Sequence, residues 1–188
     1  MPESLRLSDG TVTLSPLSLS DVDAHLAGED DQLVRWLNGG PGTRATVEAH
    51  IRRCLEQWAA GGPVHTFGVR TQGVLAGTID VQFDQPYLGA RQVNLAYGLY
   101  PPWRGRGIAT RAVALACLYA AATGATQAVI RVDPENTASA AVAGRSGFTY
   151  VKRSRDKDHN RLDWYMRHLT AEAGCATTGL RTPPVTGR

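Results

Sequence analysis

The residues whose types and spacing promise chemistry are Arg104, Gly105, Arg106, Gly107, Ile108, Ala109 and Thr110. They follow a strand-like run, Val93 to Tyr100, and they open an alanine-rich helical run. Backbone amides at a helix start are unpaired and carry partial positive charge, so a strand-to-helix turn of this kind is a nest for phosphate. Glycine at 105 and 107 lets a ligand approach without a Cβ and tolerates positive φ. Arg104 and Arg106 would add charge. The expected partner is therefore a ligand carrying a pyrophosphate. The segment is not a dinucleotide fingerprint, because the third glycine is missing, and it lacks the Gly-Lys-Ser/Thr of a Walker loop. No acidic residue sits at the spacing a ribose would need, so neither NAD nor ATP is favoured.

Bulk composition fits one domain with a real core. The chain has 188 residues, 43% hydrophobic and 20% charged, with net charge +3. No apolar run reaches membrane-spanning length and the N-terminus lacks a signal-peptide pattern, so a cytoplasmic protein is expected. The basic residues form no helical stripe with interleaved aromatics, which argues against nucleic acid. Cys54, Cys117 and Cys175 are widely spaced and offer no metal-type pair. They read as small buried hydrophobes, with a nucleophilic Cys54 or Cys117 as the alternative. Residues 1–40 hold seven acids against Arg6 and Arg35, and most of the base follows Arg104. This asymmetry raises the question whether one half suits a cationic partner and the other an anionic one.

The elements that must position the turn are legible from periodicity. Val12 to Leu14 alternates and stops at Ser15-Pro16, and Ser20 is the expected cap of a first helix. A second helix starts at Thr43 or Thr46 and runs through Val47, Ile51, Leu55 and Trp58. His65 to Arg70, Val74 to Phe83 and Val93 to Tyr100 read as strands. In the second of these, Ile79, Val81 and Phe83 share one face, and Thr78, Asp80 and Gln82 share the other. A helix from about Ala109 to Thr123, a short strand Ala128 to Val132, a helix Thr137 to Ser146 and two closing strands complete the pattern. The expected fold is a single α/β (α+β) domain over residues 5–168. Its sheet is mixed, mostly antiparallel, of about six to seven strands, with helices on both faces. Residues 169–188 read as a flexible Gly/Thr/Pro-rich tail.

Arg104 to Ala109, entered from Leu99-Tyr100-Pro101, has the form Arg-x-x-Gly-x-Ala. It resembles the coenzyme A pyrophosphate loop of the GNAT superfamily of N-acyltransferases. About thirty residues on, Arg131 to Ser139 followed by Gly147-Phe148 looks like that family's strand, Asn-x-x-Ser helix start and Gly-Phe ending. This form, with Leu95 to Leu99 upstream, is most similar to the branch of ribosomal-protein N-terminal acetyltransferases. The resemblance implies an acetyl-CoA-dependent N-acetyltransferase acting on a primary amine, either a protein N-terminus or a small molecule such as an aminoglycoside. It implies a monomer or homodimer. A longer acyl group, or a non-catalytic acyl-CoA sensor, stays open.

The resemblance also implies roles. Leu99, Tyr100 and residues 104–110 would hold the cofactor. Asn136 would meet its pantetheine arm, and Ser139 would protonate the leaving thiolate. Many relatives place a tyrosine acid where this chain has Ala143, and a glutamate where it has Asn94, which cannot act as a base. That leaves Asp80, Asp84, His65 or a water relay for the base, with Asp80 favoured because it faces away from Ile79 and Val81. Tyr97 is either a substrate-orienting or a structural tyrosine. Trp36, with Glu29, Asp30 and Asp31 nearby, lies where the family's first helices cover the acceptor, and could select a cationic amine.

Overall fold

The computed structural model describes residues 5–38, 40–156 and 158–170. Alternating apolar residues build eight strands: β1 (Leu7–Ser8), β2 (Thr13–Pro16), β3 (Val64–Thr71), β4 (Val74–Gln82), β5 (Gln92–Leu99), β6 (Gln127–Val132), β7 (Thr149–Arg155) and β8 (Arg161–His168). They form one sheet in the order β1-β2-β3-β4-β5-β6-β8-β7. Every neighbouring pair is antiparallel except β5 and β6. A parallel pair requires a crossover, and the alanine-rich helix α4 (Ile108–Ala122) supplies it. The sheet has one or two strands more than the sequence suggests. β1 is two residues long, too short for alternation to register.

Helices cover both faces. On one, α4 lays Ala112, Ala116 and Ala120 over Phe67, Val69, Ile79, Val81 and Leu95. This i, i+4, i+8 stripe of small, fully buried side chains lets the helix lie close to the sheet. α5 (Thr137–Arg145) joins this core through Val142 and Ala143. On the other face, α1 (Val22–Gly28), the single turn α2 (Asp31–Leu33) and α3 (Arg44–Ala60) bury Leu17, Val22, Leu33, Val47, Ile51 and Cys54. A π-helical turn, Val34–Asn38, follows α2 and has no counterpart in the sequence reading. Gly98 on β5 makes room for it: a Cβ there would meet Leu33 and Leu37 at 2.5 Å.

Element ends need two adjustments. The first helical segment begins one turn earlier than expected, with a 3-10 turn Leu19–Asp21 capped at Ser18 instead of Ser20. Asp21 accepts the Ser18 amide at 2.8 Å. The globular unit also extends past 168, because the Leu169 amide donates to the Thr126 carbonyl and its side chain packs on the core. The tail expected beyond lies, from residue 171, outside the described residues. Among the described residues no helix is long and apolar enough to cross a membrane.

Four of the seven acids of the N-terminal segment are held in ion pairs. Asp9 pairs with Arg111, Asp21 with Arg70, Asp23 with Arg44 and Asp30 with Arg104. The charge asymmetry of the sequence is thus partly folded into intramolecular ion pairs.

The Asp21–Arg70 pair is the least exposed of these, with side chains 9% and 18% accessible. Arg70 donates to both carboxylate oxygens at 3.0 and 2.7 Å and to Ser15 Oγ at 3.0 Å. Burial alone would raise the Asp21 pKa, but the hydrogen bonds from Arg70 and Ser18 outweigh it and leave it depressed. A depressed folded pKa contributes stability above the ordinary aspartate value of about 3.9, lost as pH falls through the folded pKa. Asp21→Asn should cost about 3 kcal/mol at pH 7 in denaturant titration, and up to about 1 kcal/mol less at pH 3. An equal cost at both pH values would contradict this role.

Candidate active site

The sheet opens where its one parallel pair ends. β5 and β6 are in register only from Gln92–Gln127 to Asn94–Val129. Beyond that, β5 stays bonded to β4 as far as Leu99, and β6 to β8 as far as Val132. The two strands therefore diverge, and the facing edges of residues 95–99 and 130–132 carry backbone groups with no strand partner. Such groups demand a ligand or water.

The glycine turn lies at the wide end of this gap. Gly105 and Gly107 have φ of +72° and +74°, the left-handed conformation expected from their type. Gly107 caps α4 without any side-chain acceptor. Among the described residues the amides of 105–110 have no acceptor, while the Arg111 amide closes the first helical bond onto Gly107. A Cβ added at either glycine would meet nothing within 4 Å, so the space before the helix is open. Ile108 is buried and anchors the helix start, leaving Ala109 and Thr110 to present their amides. The arrangement fits a diphosphate: several convergent N–H donors, a helix dipole and no competing carboxylate.

Three residues expected to touch the cofactor are otherwise engaged. The Arg104 guanidinium makes a bidentate pair with Asp30 at 2.7 Å, bonds Gln32 at 2.8 Å, and donates through Nε to the Leu99 carbonyl at 2.8 Å. It clamps α2 to the end of β5 and is not free to meet phosphate. Leu99 thus spends its carbonyl on Arg104. Tyr100 turns its buried ring to α1, its hydroxyl 2.9 Å from His25 Nδ1, and its amide donates to Ala76. Arg106 remains at the turn, its guanidinium 5.6 Å from the Trp103 ring centre.

Across the gap, Asn136 caps α5, its Oδ1 accepting the Ser139 amide at 3.1 Å. The cap is Asn136, so the Ser139 hydroxyl is free of that duty. It lies 3.1 Å from the Tyr97 hydroxyl, which also donates to the Ser139 carbonyl at 3.2 Å. Tyr97 thus bridges from β5 to α5. Burial raises its pKa to about 12, opposed by the Ser139 contact, so it stays protonated at neutral pH.

On the opposite face of β4 and β5 lies a cavity of about 480 Å³. Asp80 and Thr78 line its floor with Ala96 and Tyr97, and His25, Glu29, Leu37, residues 40–42, Val47, His50 and Arg53 form its walls. Burial raises the Asp80 pKa, moderated by hydrogen bonds from Thr66 and Gln82 and by the nearby His50. Burial lowers His50, which Asp80 partly offsets. Burial also lowers His25, reinforced by His50. Glu29 accepts the Gly42 amide at 2.5 Å and fixes the segment that roofs the cavity. Asn94 is buried and donates to Gln82 at 2.9 Å.

The cavity sorts the remaining candidates. His65 is not in it: the ring stacks on Trp58 at 4.3 Å and accepts or donates to the Tyr119 hydroxyl at 2.6 Å on the α4 side. Asp84 sits beyond β4 with φ +50° and lines a separate hollow with Arg91. Trp36 lies under the Arg35 guanidinium at 4.2 Å, and its neighbour Leu37 lines the cavity in its place. Of the acids near it, Glu29 lines the cavity and Asp30 is held by Arg104. Cys54 and Cys117 are buried thiols with pKa values pushed up by burial, which disfavours nucleophilic thiolates. Ala143 is fully buried in the core. His50 was missed, although its place three residues after Val47 and four before Cys54 puts it beside the apolar stripe of α3.

An acetyltransferase (GNAT) domain model matches residues 11–149. The chain belongs to the GNAT acetyltransferase family. A search of curated protein sequences finds no match. Among solved structures, a Salmonella typhimurium acetyl transferase that modifies the N-terminal serine of a 50S ribosomal subunit protein is 19% identical, with TM-score 0.76. That match covers 88% of this chain and 100% of the other. Mycobacterium smegmatis RimJ in complex with CoA-disulfide is 22% identical, with TM-score 0.72, covering 87% and 85%. The microcin C7 self-immunity acetyltransferase, in complex with acetyl-CoA and AMP, is 15% identical with TM-score 0.75, covering 89% and 97%. At these identities the likeness is one of fold.

As a GNAT acetyltransferase, the protein uses acetyl-CoA. The open nest before α4 makes a direct test available. Gly107→Glu adds bulk and negative charge where the donors converge. It should weaken coenzyme A binding at least 100-fold by calorimetry, with a stability loss of only about 1–2 kcal/mol for the left-handed backbone. Near-normal affinity would refute the loop assignment.

Proposed function

We propose that this acetyltransferase acetylates a primary amine, with the amine entering the Asp80 cavity and the acetyl thioester reaching it through the gap between β5 and β6. The observation that carries this reading is register. Asp80 is paired with Ala96, on the stretch of β5 that borders the gap, so the cavity and the gap share one wall.

Bound acetyl-CoA supplies an activated acetyl group. The chain has to bind, orient and move two protons. The backbone donors of residues 105–110 hold the diphosphate end, with Arg106 adding charge at the rim. Asp80, its pKa raised by burial, takes the proton from the incoming ammonium, directly or through water. The amine then attacks the thioester carbonyl, the C–N bond forms and the C–S bond breaks. The Ser139 hydroxyl, 3.1 Å from the protonated Tyr97 hydroxyl, gives its proton to the departing sulfur and is reprotonated by the second proton that the nitrogen sheds as the amide forms, relayed through water. Asn136 is a positioning residue here, since its side chain holds the first turn of α5 and so aims Ser139.

The acceptor is a protein N-terminus or a small amine. The modified N-terminal serine named for the Salmonella neighbour and the self-immunity role named for the microcin enzyme support both as amine classes.

Asp80→Asn should lower kcat at least about 100-fold and remove the acidic limb of the pH profile, because the wild-type rate rises as pH climbs through the elevated Asp80 pKa. An unchanged limb would exclude Asp80 as the base. Ser139→Ala should lower kcat about tenfold or more with little change in the KM for acetyl-CoA. A wild-type rate would return Ser139 to a packing role.

A further inference from the structure

Arg131 is an arginine without a carboxylate. Among the described residues Arg70, Arg104, Arg111 and Arg153 each reach an acid directly, and Arg131 forms no ion pair. Its guanidinium instead lies 3.4 Å from the centre of the Tyr87 ring and 5.7 Å from that of Trp164. Tyr87 and Trp164 meet edge to face at 5.9 Å, and the Lys152 ammonium sits 4.5 Å from the Trp164 ring centre. The Arg131 Nε is buried and has no hydrogen-bond partner. Asp156 acts on this guanidinium only through space. The aromatic frame orients the fork and leaves the buried Nε without a partner, and a half-desolvated cation with a spare donor favours an anion.

The location gives the anion a context. In-register residues share a face: Gln82 with Asn94, and Asn94 with Val129. Alternation extends that face to Asp80 on β4 and to Arg131 on β6, two residues past the last β5–β6 pair. Arg131 therefore faces the same side as the Asp80 cavity, on the other bank of the gap. Two strand spacings put them roughly 10 Å apart, before any widening by the divergence. The Tyr87 hydroxyl reaches Gln82 at 3.4 Å, on the same face of β4 as Asp80.

We infer that Arg131, framed by Tyr87 and Trp164, binds an anionic oxygen group carried by the amine acceptor. This rests on the proposal that the amine enters the Asp80 cavity, and it narrows the acceptor class. The preferred substrate bears a carboxylate or phosphate within two strand spacings, about 10 Å, of its reacting nitrogen. An N-terminal peptide with an acidic or phosphorylated second residue has that form. Arginine suits it better than lysine, because a planar fork held between rings is preorganised for two parallel hydrogen bonds.

The test uses three matched probes, Ala-Glu-amide, Ala-phosphoserine-amide and the neutral Ala-Gln-amide. Their Kd values are measured by calorimetry on coenzyme A-loaded protein, and their kcat/KM values with acetyl-CoA. Wild type should favour at least one anionic probe over the neutral one by tenfold or more, and which one wins separates carboxylate from phosphate. Arg131→Gln should bring the ratio within about twofold of unity, and Arg131→Lys should leave an intermediate ratio. Coenzyme A affinity, measured on the same samples, verifies that the variants are folded. Equal affinities in wild type, or a preference that survives Arg131→Gln, would overturn the inference. Turnover of all three probes without discrimination defeats this inference and leaves amine acetylation standing. Arg131-dependent binding without turnover does the reverse.

Discussion

The rest of the molecule is organised around a hydrogen-bond ladder that stops. β5 and β6 pair for three residues and then part, which strands backbone donors and acceptors at the centre of the sheet. An unpaired buried backbone group costs on the order of a kcal/mol or more, so the gap persists only because both banks are held elsewhere. β4 grips β5 through Leu99, and β8 grips β6 through Val132. Tyr97 then ties the β5 bank to α5 at Ser139, and Arg104 ties its far end to α2. The same split that exposes backbone for a cofactor arm brings the glycine turn, the start of α5 and the floor of the acceptor cavity to its edges.

Charge is distributed to suit this arrangement. Arg44, Arg70, Arg104 and Arg111 are matched with acids of the N-terminal segment. Near the gap, the backbone donors at 105–110 on one side and the Arg131 guanidinium on the other remain without an acid partner among the described residues. Asp80, its pKa raised by burial, and two histidines lowered by burial line the cavity in which we propose the amine loses its proton. A cation entering there loses water and gains a carboxylate, which is a sound way to position an amine before it is deprotonated.

Much of this was legible in the sequence because it is local. Gly105 and Gly107 announce left-handed backbone, alternation in Val74 to Phe83 puts Asp80 opposite Ile79, and Asn136-x-x-Ser139 reads as a helix start. What was not legible depends on partners far along the chain. Arg104 has the same appearance whether it meets phosphate or Asp30, and only a contact across 74 residues decides it. Tyr100, expected at the cofactor, and His65, a candidate base by type, are likewise packed by His25 and by Trp58 with Tyr119. The π-helical turn that carries Leu37 over Gly98 has no period to detect over five residues. His50 and Arg131 were both visible as residues on a face, but their meaning waits on knowing what the face encloses.

The central claim is that the unpaired backbone of the gap and of the glycine turn holds the cofactor. Amide hydrogen exchange with and without saturating coenzyme A tests it most directly. The account predicts that protection on binding concentrates in two segments, residues 95–99 with 130–132 along the gap and residues 105–110 before α4. Binding of coenzyme A that left both segments exchanging at their free rates, with protection elsewhere, would contradict it.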